Sequence, residues 1–259
     1  MHSDNLSKKR VVSGLARGFL RLIYTVTGWK TIEEDDGIFI IRRGSDTLVK
    51  VGSTTYSVIN KDHIYTNSYY DYFIPLAYLY NRPKVLAIGV GGGTVFLQLS
   101  RLLGKNVDLY GVDTSAKMVK FARKYFIGDV GAKISIDDGA AFITRKKNAF
   151  DLIILDAYRG MSMPKQFLED DFIMNANKSL RVDGIMAINT ILSSLELKEY
   201  IQKLRRFFKV YELQTSSVGL NVMLVCSKRL DNNEIREKIS SKMPKNKENK
   251  FLFDRYSNL

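Results

Sequence analysis

The sequence predicts an α/β chain, a doubly wound and mainly parallel sheet preceded by a small N-terminal β unit. Three observations carry that expectation. From residue 84 onward, short apolar runs of strand type alternate with amphipathic stretches of helix type, the pattern of successive βαβ units. The first of those runs ends in Gly89-Val90-Gly91-Gly92-Gly93-Thr94, and a helix-type segment follows directly. Residues 31–66 instead hold short β-type runs broken by Gly44-Ser45-Asp46 and Gly52-Ser53, the punctuation of hairpins.

Residues 8–27 read as one amphipathic helix. Val11, Leu15, Phe19, Leu22 and Val26 recur at helical spacing, with Arg10, Arg17 and Arg21 on another face. Gly14 and Gly18 weaken it. Such a stripe docks on its own domain or on a second subunit; it also suits a membrane surface or a nucleic-acid arm. Strand runs follow at 37–41, 47–51 and 54–59, then a helix around 68–81. The alternating part has strands at 85–88, 107–112, 132–136, 151–155 and 184–189. Helices are expected at 94–103, 115–126 and 194–207, and a closing hairpin at 209–227. The polar, Lys-rich last thirty residues read as one helix and a loose tail. The expected organisation is a basic N-terminal helix (1–30), a β unit (31–66), the main domain (67–230) and a basic C-terminal tail (231–259).

Composition bounds the function. The chain has 259 residues and a formal net charge of +13, enough length for one α/β domain with a small appendage. No apolar run reaches the roughly 18 residues of a membrane span, and the start has no secretory pattern. The single cysteine, Cys226, lies in an apolar run and makes no intrachain disulfide. A reducing, cytoplasmic setting is expected. His2 and His63 are far apart and the cysteine has no partners, so no metal site is expected. Residues 1–30 carry six Lys/Arg against one Asp, and residues 228–259 carry nine against five Asp/Glu. Basic ends suit nucleic acid or another anionic surface, or serve solubility.

Four elements carry chemistry. Gly89, Gly91, Gly92 and Gly93 let backbone approach a ligand closely at a helix N-terminus. The spacing is neither a clean G-x-G-x-x-G nor a P-loop. Asp113 stands after the second strand, about 20 residues on, where a carboxylate accepts ribose hydroxyls; with Thr114 and Ser115 beside it, a helix cap is the alternative. Asp138-Gly139 follows the third strand, where a carboxylate can accept from an adenine amino group or cap the next helix. Asp156-Ala157-Tyr158-Arg159-Gly160 ends the fourth strand. In such sheets ligands sit outside the carboxyl ends of the strands. Asp156 is therefore a candidate base or cation holder, or a residue that orders a loop, and Tyr158 is the second candidate catalytic residue. Tyr65, Tyr69, Tyr70, Tyr72 and Phe73 form an aromatic cluster that suits a pocket wall, a cation cage or internal packing.

These residues bring a resemblance into view. Pro75-Leu76, Ala122-Arg123-Lys124-Tyr125-Phe126, Asp138-Gly139 and Phe150-Asp151-Leu152-Ile153-Ile154-Leu155-Asp156 are similar to the spermidine synthase (polyamine aminopropyltransferase) family. The resemblance is densest over 84–190 and extends more weakly from 31 to 227. It implies a Rossmann-like, class I methyltransferase-type sheet and a thioether nucleotide as co-substrate. It also implies that Asp113 holds the ribose (the family has Glu), that Asp138 reads the adenine and that Asp156 is the base. The departures fall on the groups that grip a polyamine. An acidic loop residue is Gly92, the Tyr-His-Glu segment falls on Asn67, Ser68 and Tyr69, a second Asp falls on Arg159, and Gln-Ser is Tyr56-Ser57. The chain resembles more closely a divergent spermidine synthase-like branch, whose Gly-x-Gly-Gly-Gly-Ser/Thr loop and Asp-Ala-Phe/Tyr-x-Gly-x-Ser-x-Pro segment match Gly89–Thr94 and Asp156–Pro164.

Three functions follow from this. The first is a transferase that binds decarboxylated S-adenosylmethionine, or S-adenosylmethionine, and moves an aminopropyl or alkyl group to a small amine acceptor other than putrescine. The second is an S-adenosylmethionine-dependent methyltransferase, which Gly111-Val112-Asp113-Thr114-Ser115 also resembles. The third is a non-catalytic scaffold on the same fold. The resemblance further implies a homodimer or homotetramer.

Overall fold

The computed structural model describes residues 18–128, 130–215, 221–257 and 259. The chain forms two compact units that part between Ile64 and Tyr65. The smaller unit has a helix, α1 (residues 18–26), and four strands: β1 (Lys30–Asp35), β2 (Ile38–Arg43), β3 (Asp46–Val51) and β4 (Thr54–Asn60). They form an antiparallel meander in sequence order. The Asp36-Gly37 turn has φ of 53° and 80°, the left-handed pair that a tight hairpin requires. Strand β1 was not expected, because Lys-Thr-Ile-Glu-Glu-Asp hides its alternation behind charge. It is an edge strand with a register shift between Thr31 and Glu33, where charge is tolerated.

Helix α1 docks by a different face from the one its spacing suggests. Tyr24 is buried and packs with Leu20 against Phe39, Ile41 and Leu48, and its hydroxyl donates to the Gly52 carbonyl at 2.8 Å. Phe19, Leu22 and Val26 of the expected stripe are 64%, 60% and 78% exposed. A large ring with a polar tip gains both apolar burial and a hydrogen bond, so it takes the docked side. Residues 8–17 of the expected helix lie outside the described residues.

The larger unit is an α/β domain. Its seven-stranded sheet uses β5 (Lys84–Ile88), β6 (Asp108–Asp113), β7 (Lys133–Ile136), β8 (Phe150–Leu155), β9 (Leu180–Thr190), β10 (Lys209–Gln214) and β11 (Val222–Ser227). The order is β10-β11-β9-β8-β5-β6-β7, with β5 to β9 parallel and the β10–β11 hairpin antiparallel at one edge. The order reverses between β5 and β8. At such a switch point the loops after the two strands diverge and leave a crevice. The central strands are buried on both faces, as their unbroken apolar runs predict. The core below the crevice includes Ile88, Leu155, Ile188, Phe142 and Phe167.

Helices α3 (Thr94–Leu103), α4 (Ala116–Ala122), α5 (Gly139–Thr144), α6 (Asp170–Ser179) and α7 (Ser194–Leu204) connect these strands. The helix expected over 68–81 is shorter. A 3₁₀ turn, Tyr69–Phe73, runs into a single α turn, α2 (Ile74–Ala77). The tail is not loose. It forms α8 (Asn232–Lys242) and α9 (Lys250–Tyr256). Leu252 and Tyr256 are buried, and the Tyr256 hydroxyl donates to the Tyr72 carbonyl at 2.5 Å. The Lys-rich composition masked these few anchors. Leu252→Ala should therefore cost about 2–4 kcal/mol in urea unfolding with an unchanged m value; a loose tail would lose less than about 0.5 kcal/mol.

Candidate active site

The glycine loop is shaped by what crosses it. Gly89 has φ of 85°, and a Cβ there would lie 2.3 Å from the Asp156 carbonyl oxygen. The Asp156 N–H donates to the Ile88 carbonyl at 2.9 Å, and the Gly89 N–H donates to the Val112 carbonyl at 3.0 Å. The ends of β5, β6 and β8 are thus laced together at one residue without a side chain. Gly93 caps α3 with φ of 88°, and its missing Cβ leaves room for Ile127, whose side chain would lie 2.5 Å from a Cβ there. Ile127 reaches that spot because α4 runs on into one π-helical turn, Arg123–Ile127, a wide turn often found beside functional sites. Gly91 also has a positive φ, 53°, and Gly92 is buried.

Asp113 holds this loop from the next strand. One carboxylate oxygen accepts from the Val90 N–H at 2.9 Å and the Gly91 N–H at 3.2 Å; the other accepts from the Ser115 N–H at 2.9 Å. The side chain is half-buried, and the second oxygen keeps acceptor capacity. Capping of α4 falls to Ser115, which accepts from the Met118 N–H. Thr114 is exposed beside it.

Asp138 caps α5, accepting from the Ala141 N–H at 2.9 Å, and its other oxygen accepts from the Gln166 amide at 2.7 Å. Burial raises its carboxyl, but the Ala141 and Gln166 bonds and the nearby Arg159 hold it below the ordinary range. Gly139 is buried, and a Cβ there would meet Ile88 at 2.4 Å. The start of α5 therefore presses directly on the end of β5.

Asp156 stands at the end of β8, half-buried. One oxygen accepts from the Asn189 amide at 2.9 Å and the other from the Tyr69 hydroxyl at 3.1 Å. Burial raises its carboxyl, these two bonds lower it, and burial wins, pushing it up to about 6. Neutral donors offset desolvation far less than a cation does. Tyr158 lies beside it, with its hydroxyl donating to the Asn189 backbone carbonyl at 2.7 Å. Burial, then the Asp156 charge, pushes that phenol up. Arg159 is exposed on a short turn in which it and Ser162 exchange backbone bonds.

Sequence reasoning missed three of these groups as site residues. In the sequence Tyr69 stands in an aromatic cluster and at the end of the segment where the family's Tyr-His-Glu falls, with nothing to pair it with Asp156. Its ring lies 4.1 Å from that of Tyr70, centre to centre. Asn189 was read as the last residue of a strand, although a polar side chain closing an apolar run is itself a signal. Asp71, fully buried, accepts from Thr66, Ser68 and the Gln98 amide and so fixes the segment that carries Tyr69. Among the described residues no cluster of metal-ligating side chains occurs.

Gly89→Ala should destabilise the domain by about 3 kcal/mol or more, since it combines a strained φ with overlap against backbone. Gly131→Ala, which meets nothing within 4 Å, should change stability by under about 0.5 kcal/mol. Chemical denaturation of both variants checks this.

The family model for the spermine/spermidine synthase domain matches residues 72–226. A polyamine aminopropyltransferase 1 from Aquifex aeolicus is 30% identical over 175 residues, 63% of this chain and 62% of that protein. The chain spans less than two thirds of the curated relatives it matches, between 30% and 62% of the first three. A spermidine synthase solved with the transition-state analogue AdoDATO aligns with a TM-score of 0.67 at 20% identity, over 88% of this chain and 85% of that one. Human methyltransferase-like protein 13, solved with SAH, aligns with a TM-score of 0.53 at 20% identity, over 73% and 89%. These two likenesses show the shared Rossmann-like fold. With more than half its length matched by the family model, the chain belongs to the spermine/spermidine synthase family.

Proposed function

We propose that this site binds decarboxylated S-adenosylmethionine, or S-adenosylmethionine, and transfers an aminopropyl or alkyl group to an amine acceptor other than putrescine. The observation that carries the reading is Asp156: a half-buried carboxylate at the switch point, held by two neutral donors and raised to about 6. It shares the rim with the glycine loop and with Asp113 and Asp138. The residues fit such a nucleotide. Asp113 keeps acceptor capacity for ribose hydroxyls, the loop offers backbone without side chains at the start of α3, and Asp138 keeps acceptor capacity beside its Gln166 bond for an adenine amino group.

When bound, the sulfonium supplies an activated carbon and a neutral thioether leaving group. Asp156 accepts the proton that the attacking amine sheds, and a base raised to about 6 is charged at neutral pH and still basic enough to do so. Tyr69 and Asn189 orient the carboxylate by one hydrogen bond to each oxygen, and Tyr158 lies beside it. Alignment of amine and carbon provides the rest.

The acceptor is not a diamine, because the side chains that touch Asp156 are uncharged and none offers a second anion to a distal ammonium. The second reading, a methyltransferase, is kept because a methyltransferase solved with SAH shares this fold.

Calorimetric titration with S-adenosylmethionine, its decarboxylated form and methylthioadenosine separates the cases. The proposed reading expects tightest binding of the decarboxylated form, and Asp113→Ala should weaken it about 100-fold or more. Preference for the intact form sinks aminopropyl transfer, and binding of none leaves a scaffold. With an acceptor found by amine screening, kcat/KM should rise with pH through about 6 and level off above it, because the base must be unprotonated; Asp156→Asn should remove that limb along with most of the rate.

A further inference from the structure

We infer that Asn221 is a positioning residue for Asp156 and acts through Asn189, so that the β10–β11 hairpin at the sheet edge fixes the polarity of the base at the centre. This rests on reading Asp156 as the base; its geometry stands independently. Asn189 lies on β9, between β8 and β11, and is 2% exposed. Its amide donates to Asp156 at 2.9 Å, and its amide oxygen accepts from the Asn221 amide at 2.8 Å. A carboxylate can only accept, so the Asn189 NH2 must face Asp156 and its oxygen must face away. That oxygen then needs a donor, and no solvent reaches it to serve. Asn221 supplies one.

Asn221 is itself well placed. It stands one residue before β11, which pairs with β9 at Val222↔Thr190 and Met223↔Asn189. The Thr190 hydroxyl donates to the Val222 carbonyl, and the Thr215 hydroxyl donates to the Asn221 carbonyl, both at 2.9 Å. The backbone on each side of Asn221 is therefore tied before its side chain reaches Asn189. The remaining groups facing Asp156 are the phenols of Tyr69, Tyr70 and Tyr158, all kept protonated by burial first. None of them replaces the Asn189 donor. If residue 221 cannot donate, the Asn189 amide can turn over and offer its own oxygen to the carboxylate, which favours the protonated acid.

The test follows Asp156 by NMR in the full chain carrying 13C-carboxyl aspartate, with the signal assigned by its loss in Asp156→Asn. No ligand enters, so this result is independent of whether the nucleotide binds. Asn189→Ala should move the titration midpoint up by about one unit. Asn221→Leu should move it in the same direction by less, and the double variant should match Asn189→Ala alone. If Leu distorts the hairpin, as an altered amide spectrum would reveal, Asn221→Ser serves, being too short to reach Asn189. An unmoved midpoint in the Asn221 variant overturns the inference. So does a further shift when the Asn221 change is added to Asn189→Ala, since Asn221 would then act on Asp156 by another route.

Discussion

The site depends on one close approach, that of the Asp156 backbone over Gly89. Parallel strands β5 and β8 stay paired through Ile88↔Leu155, and the Asp156 N–H still donates to Ile88. Only then do the two chains part, one upward into the glycine loop and the other into the segment bearing Tyr158 and Arg159. A side chain at residue 89 would drive them apart one step too early. The loop would then lose its position over β6, Asp113 would lose the N–H groups it holds, and Asp156 would no longer point at Asn189 and Tyr69. The glycine at the crossing is thus a packing requirement before it is a ligand-binding one.

Four carboxylates near the strand ends show how environment divides labour. Asp113 takes three backbone N–H groups and braces the loop. Asp138 caps a helix. Asp151, at the opposite end of β8, accepts from one Arg181 nitrogen on both of its oxygens and from the Lys84 N–H on one of them. Asp156 alone among these is placed among a phenol, an amide and apolar wall. Its raised carboxyl stabilises the fold below the ordinary carboxylate range, and that contribution is lost as pH rises through about 6. At neutral pH the fold therefore holds a charged carboxylate at a cost on the order of 3 kcal/mol. A structural role alone would be served better by an asparagine.

Much of this was legible in the sequence, and the reasons differ by residue. The parallel strands show because burial on both faces demands unbroken apolar runs, as in Phe150–Leu155. The positions of the glycine loop, Asp113, Asp138 and Asp156 show because a doubly wound sheet opens its crevice just past the strand ends, and those positions can be counted along the chain. Tyr69 did not show: it meets Asp156 across 87 residues, and a tyrosine among tyrosines signals packing. Asn221 was invisible because its partner is set by antiparallel register with β9. Asp71 carries no distinguishing signal in the sequence, and only its burial shows that it organises a turn. Helix α1 was recognised, but period alone does not say which face docks. Tyr24 decided that by having a carbonyl within reach.

The most direct test is a crystal structure with methylthioadenosine bound. The ribose should lie on Asp113, the adenine beside Asp138 and the thioether sulfur opposite Asp156, with Tyr69 and Asn189 still on its two oxygens. A nucleotide seated elsewhere on the sheet, or one whose sulfur points away from Asp156, would contradict the assignment of this carboxylate as the base.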